Sequence, residues 1–143
     1  LNLHDILLPV FVQVGLTFAL LFMMGGRRFA ALRGGSVRVP DIALGQRAWP
    51  AGVQATSNAY ANQFELPVLF FALVPLAIIT RKADLIFVVL SWVFVVSRLV
   101  HAVIFVTTND VRQRFIAFLV GALVLLIMWV MFALRILLVP LPA

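Results

Sequence analysis

The chain has 143 residues, a length that suits one domain; 64% are hydrophobic and only 11% are charged. A soluble domain of this size would leave too much of that apolar surface in water, so the composition places the chain in a membrane. It has no cysteine, which excludes a disulfide framework and a thiolate metal site and leaves any thiol chemistry to a thiol brought by the substrate.

The net charge of +6 is carried almost entirely by arginine. In a membrane chain such an excess reports topology and anionic headgroups. No base-reading motif or basic tract with interleaved aromatics is present, so nucleic acid is not an expected partner. No basic region precedes the first apolar segment, and no cleavable signal peptide is expected.

Four apolar segments follow in order. The first spans about Ile6 to Met24, long enough at ~1.5 Å per residue to cross a ~30 Å hydrocarbon core. Asn2 and Asp5 are candidate N-caps, and Gly25-Gly26 is the expected end. Gln13 and Thr17 lie four apart within it, a spacing that suits hydrogen bonds to a neighbouring helix. Residues 25–46 read as a basic, glycine-rich, polar loop carrying Arg27, Arg28, Arg33 and Arg38.

The second helix is expected from about Gln46 to Thr80, longer than a span needs. Pro67 and Pro75 each lack an N–H, so a kink is expected beside Glu65. Ala48, Ala51, Ala55 and Ala59 would let another helix approach closely. A short turn, Arg81-Lys82-Ala83-Asp84, leads to a third helix over about Leu85–Val106, which carries Ser91, Ser97, Arg98 and His101. Thr107–Asp110 is a turn rich in capping residues. The fourth helix spans about Val111–Leu138, and Pro140 and Pro142 close the chain. The whole is an all-α, four-helix membrane bundle in one domain, 1–143. Counting arginines puts the first and third loops in the cytoplasm and both termini outside.

The most costly feature lies in the second helix. Gln54, Asn58, Asn62 and Glu65 fall on one helical stripe inside an apolar span. An acidic residue at the centre of a membrane helix costs roughly 2.5–3.5 kcal/mol to insert, so Glu65 needs a partner, a cavity or a ligand. Helices two and three are joined by a tight turn and should be antiparallel neighbours. Measured from the turn centre between Arg81 and Lys82, Glu65 and Arg98 stand equally far away, and so do Asn62 and His101. That level lies ~21 Å from the outer turn, nearer the cytoplasmic face. Asn58, Asn62, Glu65, Arg98 and His101 therefore outline a polar pocket below Arg112. Two readings share these residues: an internal Glu65–Arg98 ion pair that fixes register, or a ligand site that uses the spare hydrogen-bonding capacity of both. A metal centre is not expected, since His4 and His101 differ widely in depth and Glu65 lacks further ligands.

Four hydrophobic helices in this length, Asn62-Gln63-Phe64-Glu65-Leu66-Pro67 in the second, and Arg98 with Arg112 later resemble the MAPEG family, the membrane-associated proteins in eicosanoid and glutathione metabolism. The resemblance extends over nearly the whole chain and suggests a divergent bacterial-type member in the inner membrane. It implies a homotrimer surrounded by membrane lipid, with glutathione as co-substrate between subunits and a lipophilic small molecule as second substrate. By family position Asn62 and Glu65 would hold the tripeptide, Arg98 would support a glutathione carboxylate or Glu65, and Arg112 would stabilise the thiolate. The family's usual arginines one and two turns before the Asn are Asn58 and Ala55 here, and two usual aromatic hydroxyls are His101 and Phe105. The retained residues favour a glutathione-dependent transferase or peroxidase. The altered ones favour a non-catalytic member that binds lipid or another small polar ligand.

Overall fold

The computed structural model describes residues 1–138, so Pro140 and Pro142 lie outside the described residues. Six helices appear among them: α1 (Leu3–Arg33), α2 (Val39–Ile42), α3 (Ala51–Ala61), α4 (Leu66–Ile79), α5 (Leu85–Val106) and α6 (Val111–Leu137). α3 and α4 are the two halves of one interrupted span. With that span counted once, four segments are long and apolar enough to cross a membrane, and the chain is an all-α integral membrane protein.

α1 does not stop at Gly25-Gly26 but runs nine residues past Met24 to Arg33. Glycine weakens a helix interior by only about 1 kcal/mol relative to alanine, and the Phe29–Leu32 segment resumes good helix-forming sequence. The real stop is Gly34-Gly35, where Gly35 takes a left-handed φ of 73°. Ser36 N–H then bonds the Ala31 carbonyl at 3.0 Å and Gly35 N–H the Leu32 carbonyl at 3.2 Å, closing a Schellman end. The segment expected to be loop therefore begins as helix. At ~1.5 Å per residue α1 is ~46 Å long, so its last turns project beyond the hydrocarbon.

That projection positions the start of α3. Arg27 Nη1 donates to Thr56 Oγ1 at 2.5 Å and to the Gly52 carbonyl at 3.2 Å; Arg28 Nη2 donates to Ser57 Oγ at 3.0 Å and its guanidinium lies over the Trp49 ring. Ala31, Val37 and Val53 form a small apolar cluster beneath these bonds. Deeper in, Leu20 packs on Ala59, Ala102 and Phe105, and the largest cluster joins Phe70, Leu73, Val74, Phe94, Val95, Leu125 and Met128.

The second span breaks rather than bends. A 3₁₀ turn covers Asn62–Phe64, Glu65 leaves the helical region (φ −98°, ψ −106°), and Pro67 sits in the first turn of α4, where its missing N–H costs nothing. Gln63 holds the break to α1: Gln13 Nε2 donates to Gln63 Oε1 at 2.8 Å, and Gln63 Nε2 donates to the Ala59 carbonyl at 3.0 Å. Both side chains are buried, so Gln13 makes the interhelical bond its spacing suggests. Thr17 instead bonds back to the Gln13 carbonyl of its own helix.

α5 and α6 approach closely where Gly121 meets Ser97 and Arg98. A Cβ at Gly121 would lie 2.6 Å from Ser97 Oγ, so a larger residue here would force the Ser97 side chain to move. Asp84 caps α5 by accepting from Phe87 N–H at 2.9 Å, and it also accepts from Arg135 Nη2 at 2.6 Å, tying the α4–α5 turn to the end of α6. Arg135 holds the Asp84 carboxyl below the usual carboxylate range, with the Phe87 N–H adding to the effect.

Candidate functional site

Gln54, Asn58 and Asn62 run along one side of α3, whereas Glu65 falls beyond the helix break, and none of the four is among the buried residues of the span. The inward residues are Val53, Thr56, Ala59 and Gln63, all buried, and the small residues of that face admit α1 and α5. Asn58 and Glu65 are exposed, and Asn62 is half-buried. Gln54 Nε2 donates to Asn58 Oδ1 at 2.8 Å and Asn62 Nδ2 to the Asn58 carbonyl at 3.1 Å, so the stripe is partly satisfied along its own helix. Glu65 makes no side-chain hydrogen bond or ion pair among the described residues.

The expected Glu65–Arg98 ion pair is therefore not formed. Counting along antiparallel helices gives height, whereas the face is decided by which stripe packs best, and here Gln63 takes the inward place. Height does hold for the other couple: Asn62 and His101 line one cleft of about 250 Å³, with Phe105, Arg114 and Phe118.

Arg98 is the unusual group at this site. It is 0% exposed, yet among the described residues no carboxylate stands within ion-pair distance of it. Its Nη2 lies 3.1 Å from His101 Nδ1, its guanidinium lies 5.9 Å from the centre of the Phe118 ring, and Nε and Nη1 are buried with no partner. A guanidinium can only donate, so His101 Nδ1 accepts and the ring carries its proton on Nε2. His101 thus keeps one N–H donor for another group. Phe105 packs edge-on against its ring at 5.1 Å.

The third loop sets the cleft's rim. Asp110 caps α6 by accepting from Gln113 N–H at 2.8 Å. Asn109 adopts a left-handed φ of 51°, and its Oδ1 accepts from Arg114 Nη1. Arg114 consequently lies across the Phe105 ring, 4.0 Å from its centre, at the mouth of the cleft. Arg112 is exposed and does not line this cleft. Arg114 was not among the residues singled out from the sequence, but a signal for it exists. The inward residues of α6 are Ala117, Gly121, Leu125 and Met128. Stepping back one turn from Ala117, or two from Gly121, reaches position 114 and not 112. Among the described residues no three His, Asp or Glu side chains gather closely enough to hold a metal ion.

Four segments long and apolar enough to cross a membrane define a polytopic membrane protein, and it carries a cleft lined by Asn62, His101 and Arg114 whose His101 is bonded to the buried Arg98. The MAPEG family model matches residues 6–134, and the chain belongs to the MAPEG family. No curated protein and no solved structure matches it.

Proposed function

We propose that the protein is a glutathione-dependent transferase or peroxidase acting on lipophilic electrophiles. The observation that carries this reading is Arg98, a buried cation whose Nε and Nη1 lack acceptors beside a cleft lined by Asn62, His101 and Arg114. A buried charge left without acceptors costs several kcal/mol, and an anionic ligand offsets that cost. In this reading Asn62 and Asn58 bind the peptide backbone, Glu65 takes the glutathione amino group, and Arg98 with His101 Nε2–H holds a carboxylate.

Family position gives the thiolate to Arg112. A second assignment, to Arg114, is favoured by its place at the cleft. Either cation lowers the pKa of a thiol beside it, and the thiolate is the nucleophile. The sulfur attacks the electrophilic carbon, a C–S bond forms, and the leaving group departs with its electron pair.

The exposed Asn58 and Glu65 on a membrane span favour cover by neighbouring copies, and a homotrimer with the ligand between subunits supplies it. The arginine-rich end, where α1 finishes and α6 begins, faces the cytoplasm by charge count. The alternative, a non-catalytic member that binds lipid or a small polar ligand, is favoured by Asn58 and by Ala55, which is buried and offers no cation.

The test is conjugation of glutathione to an aryl halide by wild type, Arg112→Ala and Arg114→Ala. Loss of the activating cation should lower turnover at neutral pH by about 100-fold, with recovery as pH rises toward the free-thiol pKa of about 8.5. The variant that behaves this way identifies the residue. No conjugation by the wild type leaves the alternative.

A further inference from the structure

Among the described residues, Arg114 is the only arginine that lines the polar cleft. It stands within the first turn of α6, where unpaired backbone N–H groups already present positive charge. A helix start is stabilised by acidic residues and opposed by basic ones, so this placement of Arg114 costs helix stability.

Two groups hold its guanidinium, and both are neutral. Asn109 Oδ1 accepts from Nη1, and the Phe105 ring lies 4.0 Å away, face toward the cation. Asn109 is itself anchored to the last turn of α5, because its N–H donates to the Ile104 carbonyl at 2.7 Å. Its φ of 51° is one that Asn, Asp and Gly adopt more readily than other residues. Asp110, next in the chain, makes no ion pair with Arg114; its Oδ1 accepts from Gln113 N–H and caps α6. No carboxylate lines the cleft among the described residues. The groups that share it with Arg114 are His101 of α5, which is bonded to Arg98, and Asn62 of the second span.

We propose that Asn109 is a positioning residue for the chemistry of this cleft: its neutral oxygen aims the Arg114 guanidinium across the mouth without cancelling its charge. A carboxylate at this position would also accept from Arg114, but the ion pair would neutralise the cation that an incoming anion needs. An amide holds the guanidinium and leaves its charge to the ligand. The inference rests on the reading above, with Arg114 as the cation beside the thiol.

The test is a pH titration of the ultraviolet absorbance of glutathione thiolate bound to the detergent-purified protein, run beside conjugation to an aryl halide. Wild type, Arg114→Ala, Asn109→Gly and Asn109→Asp are compared. Glycine accepts the left-handed φ and removes only the amide; aspartate tolerates the same φ, keeps the acceptor and adds a charge. In the wild type the bound thiol should ionise below the free value of about 8.5, and Arg114→Ala should return it there. Asn109→Gly should raise the midpoint and lower turnover at neutral pH several-fold, with recovery as pH rises. Asn109→Asp should raise the midpoint at least as far. A residue that only shapes the turn would leave both variants at the wild-type midpoint and turnover, and that result overturns the proposal. If Asn109→Gly lowers the melting temperature of the ligand-free protein, Asn109→Asp decides alone, since it keeps turn and acceptor. A wild-type midpoint in Arg114→Ala also overturns the proposal, by removing Arg114 from the thiol, and leaves glutathione dependence standing. Absence of a bound-thiolate signal in the wild type overturns the glutathione reading itself, and this inference with it.

Discussion

At Arg98 the protein holds a charge inside the bundle without a counter-charge. Its aliphatic stem packs against the Gly121 surface, and its head reaches only His101 and the Phe118 ring. Replacing a buried ion pair by apolar side chains of similar volume is often neutral or stabilising by about 1–4 kcal/mol, and a buried charge without a counter-charge has still less attraction to lose. Arg98→Met should therefore leave the ligand-free protein at least as stable as wild type in a detergent-denaturation titration, while abolishing stabilisation by ligand. A large loss of stability would instead make Arg98 a structural keystone. At this scale the sequence was informative about type and depth but not about direction. Asn62 and His101, placed at one level by depth counting, line one cleft, whereas Glu65 forms no ion pair with Arg98, because counting residues carries no information about which stripe faces inward. Arg112 drew attention through family position, whereas the inward period of α6 points to Arg114.

Among the elements, the broken second span and the α5–α6 crossing fix the cleft's walls. Gly121→Ala would drive a methyl group into Ser97 Oγ, which is itself held by the Phe94 carbonyl at 2.6 Å. Overpacking of this kind costs about 1–3 kcal/mol. The double variant Ser97→Ala/Gly121→Ala should recover most of that loss, and additive losses in the same titration would refute the contact. The α4–α5 turn depends on the Asp84–Arg135 pair. Because Asp84 titrates below its usual value when folded, its contribution is complete above about pH 4, the unfolded range, and is lost as pH falls through the folded value. Thermal stability should thus be flat toward pH 4 and decline below it, and Asp84→Asn should remove that part of the decline. The turn and its capping residues could be read from the sequence. The course of α1 through Gly25-Gly26 could not, since a glycine pair is compatible with either a helix interior or an end, and here the left-handed turn that ends α1 is made at Gly35.

At the scale of the whole molecule, a span that is apolar nearly everywhere presents Asn58 and Glu65 outward, and Arg98 is buried with Nε and Nη1 unpartnered. Composition alone was enough to place the chain in a membrane, and hydrophobic length was enough to find four crossings. Binding of glutathione in the cleft of Asn62, His101 and Arg114, as proposed, is checked by thermal denaturation of the detergent-purified protein with and without millimolar glutathione. Saturation at 100 times the dissociation constant should add ~2.7 kcal/mol. A rise in melting temperature that disappears in Asn62→Ala/Arg114→Ala is the predicted result; an unchanged melting temperature for the wild type would contradict it.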